Sequence, residues 1–153
     1  MGEAIAAYLH YLSIFGLFAL LSIEHVTFGK ELDVARARRL IFTDIAYGIC
    51  AGLVLLTGLV RVIWYGKGWQ YYLSNSLFHT KVGLFILVGL LSVYPTYVYL
   101  NWRNSLNAGQ PPVISRREKF LVTMTIRVEL LLLLIIPLFA TFMARGFGVM
   151  SSS

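Results

Sequence analysis

The sequence predicts an all-α membrane protein, a bundle of four transmembrane helices with both termini outside. Two observations carry that prediction. Hydrophobic residues make up 58% of the 153 residues and charged residues only 13%, against about 25% charged in a soluble domain. The charges are also clustered, and the stretches between them are long enough to cross a bilayer, which takes about 20 apolar residues. Mean hydropathy is +0.75. A net charge of +6 suggests nucleic acid in isolation. Here the basic residues fall in short connections between apolar runs, where they act as topology signals, so no nucleic-acid partner is expected. The lone Cys50 lies within an apolar run and forms no internal disulfide.

Span one is expected over 4–28. Met1-Gly2-Glu3 lacks the positive start of a signal peptide and the apolar run is too long for one, so a retained helix is expected. Span two covers 40–65 and is broken by Gly66 and Gly68. Span three covers 76–100. Asn107 to Pro112 reads as a loop. Ser115 and Glu118 have capping-box spacing ahead of span four, 120–144. These spans form a single membrane-embedded domain. Lys30, Arg36, Arg38 and Arg39 occupy the first connection, and Arg103, Arg116, Arg117 and Lys119 the third. The positive-inside rule makes that side cytoplasmic. Trp64, Tyr65, Trp69, Tyr71 and Tyr72 suit the outer aromatic belt, and Tyr97, Tyr99 and Trp102 the inner one.

An ionisable group inside a bilayer costs several kcal/mol unless paired or near the surface, so each one is a functional candidate. His10, Arg61, His79 and Lys81 share an outer layer. Two histidines on different helices at matched depth suit haem iron, with Arg61 placed for a propionate. Gly16, Gly48, Gly52 and Gly83 could provide room between helices, and Gly48 with Gly52 forms a GxxxG pair. The plainer alternatives are interfacial histidines, snorkelling Arg61 and Lys81, and glycines used for packing. His79 and Lys81 are about 200° apart around a helix. The Ser76 and Gly83 neighbours favour His79 as the inward residue, with Lys81 reaching toward the surface.

Glu24, His25, Asp44, Arg127 and Glu129 form an inner layer. Arg127 most needs a partner, and Asp44 or Glu24 could supply an interhelical ion pair. Glu129 or Asp44 could instead move protons or act as a base. A dinuclear metal site lacks the Glu-x-x-His spacing it would need.

These residues carry a resemblance. The chain resembles a family of small bacterial four-helix membrane proteins that is distantly similar to HemJ-type protoporphyrinogen oxidases and CopD-like membrane domains. The likeness rests on Tyr8-Leu9-His10, on Leu77-Phe78-His79-Thr80-Lys81, which resembles a Trp-x-His-x-Lys segment, and on Glu129 before the leucine run. The chain departs from HemJ at Glu24-His25, where HemJ has Pro-Arg, and at Leu77, where it has tryptophan. The resemblance implies haem b bound in the inner membrane of a bacterium, oxidoreductase or electron-transfer chemistry, and a porphyrin or quinone substrate. It points to His10 and Lys81 as the important positions, where the face argument prefers His79. Gly16, His10, His79 and Arg61 are then the candidate cofactor contacts, and Lys81, Glu129 and Asp44 the candidate reactive groups. Two other classes stay open: a haem-free, CopD-like metal-handling transporter, and a structural subunit of a membrane complex. Homo-oligomerisation is open as well. No Met-x-x-Met or Cys-x-x-Cys supports copper(I).

Overall fold

A computed structural model describes residues 1–149 of the chain. Four long helices make up the fold: α1 (Gly2–Phe28), α2 (Val34–Trp64), α4 (Ser76–Asn101) and α6 (Arg116–Ala144), with short helices α3 (Trp69–Leu73) and α5 (Arg103–Asn107) in the connections. Each long helix is long and apolar enough to cross a membrane, so the chain is read as a multi-pass membrane protein. At about 1.5 Å per residue the 27–31 residues of α1, α2 and α6 exceed the hydrocarbon thickness, so their ends project or the helices tilt.

Local chemistry sets the boundaries. Asp33 caps α2 by accepting from the Arg36 N–H at 2.7 Å. This starts the helix six residues before the expected span, and places Arg36, Arg38 and Arg39 on a helical extension rather than in a loop. Ser115 and Glu118 form the expected capping box at the start of α6. That helix also begins ahead of its span. At the other end of the bundle, Gly68 turns the chain with φ +100° after α2.

Asn75 is fully buried and fixes the start of α4. Its side-chain oxygen accepts from the N–H groups of Leu77 and Phe78, and its amide donates to the Phe147 carbonyl at 3.2 Å. The Ser76 N–H donates to the Gly148 carbonyl at 2.9 Å. The chain after α6 therefore folds back over the start of α4. Gly148 allows this approach: its φ is +83°, and a Cβ there would lie 2.6 Å from Leu77 Cγ.

The helices form an up-and-down ring in the order α1–α2–α4–α6. The tight neighbours are α1 with α2 and α4 with α6, and the two hairpins meet along thinner seams. Gly16 sits opposite Cys50, where an added Cβ would be 3.4 Å from the sulfur, so this glycine brings α1 close to α2. Gly48, Gly52 and Gly83 face outward with nothing within 4 Å of an added Cβ. They make no room inside the bundle, contrary to expectation.

Unlike a soluble bundle, this one carries large apolar side chains on its outside as well as in its core, and it buries acids. Phe42 is 73% exposed and Phe15 71%, while Glu24 and Glu129 are each 1% exposed. Lipid is as apolar as leucine and exerts no force that drives apolar side chains inward. Tyr99 and Trp102 are buried, where an interfacial belt was expected, and only Tyr97 of that group is exposed. Phe28 stacks on Trp102 with ring centroids 6.4 Å apart, and Tyr99 packs beside both.

Candidate functional site

Polar side chains gather at two levels. The first lies toward the end that carries the termini. His10 on α1 is half-buried, and its Nδ1 lies 2.9 Å from the Thr57 hydroxyl on α2. The Thr57 hydroxyl also lies 2.6 Å from the Leu53 carbonyl, which can only accept. With the threonine hydrogen assigned to its shorter contact, the Leu53 carbonyl, the Thr57 oxygen receives the Nδ1–H of His10. In that tautomer Nε2 keeps a lone pair. The imidazole packs on Gly58, whose added Cβ would meet His10 Cε1 at 3.2 Å. Thr57 and Gly58 are the support that the sequence did not reveal, although both lie one helical turn before Arg61.

Arg61 on α2 and Lys81 on α4 are close enough to His10 for their charges to act on it, and close enough to act on each other. Arg61 lies over the Tyr11 ring at 5.4 Å and Lys81 over Phe78 at 5.2 Å. Neither makes an ion pair among the described residues. Three helices thus bring one imidazole and two cations together with no acid between them.

His79 does not join this group. Its ring is exposed, with Nε2 2.8 Å from the Leu73 carbonyl in the preceding turn. Contrary to expectation, His79 is not the inward residue of α4. Ser76 and Gly83 are exposed, whereas Leu77, Leu84, Phe85 and Val88, which share the Lys81 face, are packed. Small polar neighbours do not mark the interior when the surroundings are lipid.

The second level lies toward the end with the basic connections. Glu24 of α1, Asp44 of α2 and Glu129 of α6 are buried together and near enough for their charges to interact. Tyr47 of α2 and Tyr99 of α4 complete the cluster, their hydroxyls facing Glu129 and Glu24 respectively. Asp44 accepts a hydrogen bond from the Thr96 hydroxyl of α4 at 3.0 Å. All four long helices contribute. Neither tyrosine hydroxyl closes a hydrogen bond of good geometry, and Glu129 Oε1 is likewise unpartnered among the described residues.

Arg127 does not serve this cluster. It is exposed, and its Nε donates to His25 Nε2 at 3.2 Å. The expected ion pair to Asp44 or Glu24 is absent among the described residues. Two residues separate Arg127 from Glu129, about 200° of rotation, so burying the acid turns the arginine outward. His25 follows Glu24 on α1 but faces away from the cluster, toward Arg127. Among the described residues no three His, Cys, Asp or Glu side chains lie close enough to hold one metal ion.

The two levels are distinct sites. His10 and Glu24 are 14 residues apart on α1, about 20 Å along the axis. Arg61 and Asp44 are similarly separated on α2. Asp44 and Glu129 therefore cannot touch a small group held at His10, while Lys81 can.

The model of a family described as "Predicted membrane protein (DUF2214)" matches residues 2–148, which takes in all four long helices. The curated proteins and the solved structures give no match.

Proposed function

We propose that the protein, which belongs to this family of membrane proteins by a match over nearly the whole chain, is a b-type haem-binding oxidoreductase or electron-transfer protein of the bacterial inner membrane. The observation that carries this reading is His10. Its Nδ1–H is held by Thr57, and its Nε2 keeps a lone pair beside two unpaired cations. A histidine ligand to a metal has the same form, with one ring nitrogen anchored by a neighbour and the other available. Arg61 and Lys81 supply what an anionic tetrapyrrole needs, since each can receive a carboxylate by a charge-assisted hydrogen bond. The donor set fits haem on that side. His79 is exposed and held to Leu73, outside the group that His10 forms with Arg61 and Lys81, so His10 is the histidine that stands beside the two cations.

The pairing of His10 with Lys81 is also the pairing that the HemJ likeness singles out. When bound, haem would supply one-electron chemistry toward a porphyrin-type or quinone-type partner. The chain's own residues orient the imidazole, neutralise carboxylates and keep the site within apolar helices. Glu129 and Asp44 belong to the other level, where they can exchange protons but cannot contact the haem.

The test is the visible spectrum of the full chain, purified in detergent from haem-replete cells. A Soret band is expected that survives washing, is lost in His10→Ala and persists in His79→Ala. A colourless preparation from such cells, or a band that depends on His79 and not on His10, would overturn the proposal. Metal analysis of a colourless sample would separate a metal-handling protein from a structural subunit.

A further inference from the structure

Among the described residues, the cluster at the basic end has no counter-charge. Glu24 comes from α1, Asp44 from α2 and Glu129 from α6, and all three are at least nine-tenths buried. The groups facing them are Tyr47 from α2, and Thr96 and Tyr99 from α4. These are hydroxyls and carry no positive charge. The nearest cation in sequence, Arg127, is turned out to His25. Like charges sharing one buried site cannot all be ionised, and in hydrocarbon the cost of an unbalanced charge is higher still.

A second observation points to what fills the cluster. Tyr47 Oη, Tyr99 Oη and Glu129 Oε1 are buried and unpartnered, although both hydroxyls face carboxyl groups. Buried polar atoms of this kind are normally satisfied, often through an ordered water. The ligand must therefore be small, supply hydrogen bonds and offset negative charge. A metal ion held by the three acids is disfavoured, because no three of them converge on one point. A mobile proton meets all three requirements without such convergence.

We propose that Glu24, Asp44 and Glu129 form a proton-binding site in which carboxyl groups share protons through the hydroxyls of Tyr47 and Tyr99 and through water. Phe28, Tyr99 and Trp102 pack together at the basic end of the cluster and shield it from that side. The site holds protons between the four long helices, toward their basic end, and is available to any chemistry in the membrane that takes up or releases them. It does not depend on haem at His10.

The test is infrared spectroscopy of the full chain in lipid membranes, with and without glutamate labelled with 13C in its side-chain carboxyl. The remaining glutamates, Glu3, Glu31 and Glu118, are not buried. At neutral pH a carbonyl band of protonated carboxyl is expected. It should shift in heavy water, move with the 13C label, and weaken in both Glu24→Gln and Glu129→Gln. It should be the same in sodium, potassium or calcium salts, and the same whether or not the preparation contains haem. Glutamine matches a protonated glutamate in shape, so both variants should keep wild-type helical content. Absence of a labelled band in the unmutated chain at neutral pH would overturn the proposal without any variant. So would a band that survives in both variants, or one abolished by added cation alone, which would mark a cation site instead.

Discussion

At the scale of single residues, tautomer and charge balance decide what each level can do. Thr57 holds His10 because its own hydrogen is already given to Leu53. Thr57→Val keeps the shape and removes the acceptor. A lost hydrogen bond of this kind is worth about 1 kcal/mol, and second-shell losses typically reduce metal affinity roughly 10–100-fold. Nitrogen-15 spectra of the haem-free chain should show His10 as one tautomer, protonated at Nδ1, in the unmutated protein and as a mixture in Thr57→Val. Finding the proton on Nε2 in the unmutated protein would remove the basis for ligation there. His10, Arg61 and Lys81 were legible in the sequence because a polar group in an apolar run stands out. Thr57, Tyr47 and Tyr99 were not, since threonine and tyrosine are common in membrane helices and their role depends on what a neighbouring helix places opposite them.

At the scale of elements, the helix ends are set by side chains that satisfy the free backbone N–H groups. The Ser115 cap is local and was readable from spacing. Asn75 is different, because its side chain caps α4 and also ties down the segment after α6. Ser115→Ala should cost about 1 kcal/mol, an ordinary cap loss. Asn75→Ala should cost more, since it also removes the hydrogen bond to the Phe147 carbonyl, worth about 1 kcal/mol. Denaturant titration in detergent checks the order, and equal losses would mean that the contact to Phe147 contributes nothing. The two-residue offset between Arg127 and Glu129 is likewise an element-level fact. The helix period requires that one of them faces away from the bundle, and the buried cluster decides that it is the arginine.

At the scale of the whole molecule, both ends of the described chain lie at one end of the bundle, opposite the two basic connections. With those connections cytoplasmic, a cysteine replacing Lys67 in a Cys50→Ala background should react with a membrane-impermeant thiol reagent added to intact cells lacking an outer membrane. One replacing Gly109 should react only after the membrane is opened. The reverse pattern would invert the orientation and exchange the sides on which the two polar levels sit. The ring order of the helices also explains why the acids meet. Glu24, Asp44 and Glu129 lie on three helices, and α4 closes the ring with Tyr99 and Thr96.

The sequence by itself determined the class of protein, the number of long helices, their approximate limits and the basic end of the bundle. Hydropathy and charge placement are properties of the chain alone, and a bilayer leaves few alternatives to helix. It also identified which polar residues required an explanation. Only the tertiary structure decided which way those residues face. His79 against Lys81, and Arg127 against Glu129, are each separated by half a turn or so on helices whose lipid-facing and inward sides are equally apolar. With no hydrophobic contrast between the two sides, orientation is set by the partners that neighbouring helices supply: Leu73 for His79, His25 for Arg127, and two tyrosines for the buried glutamates.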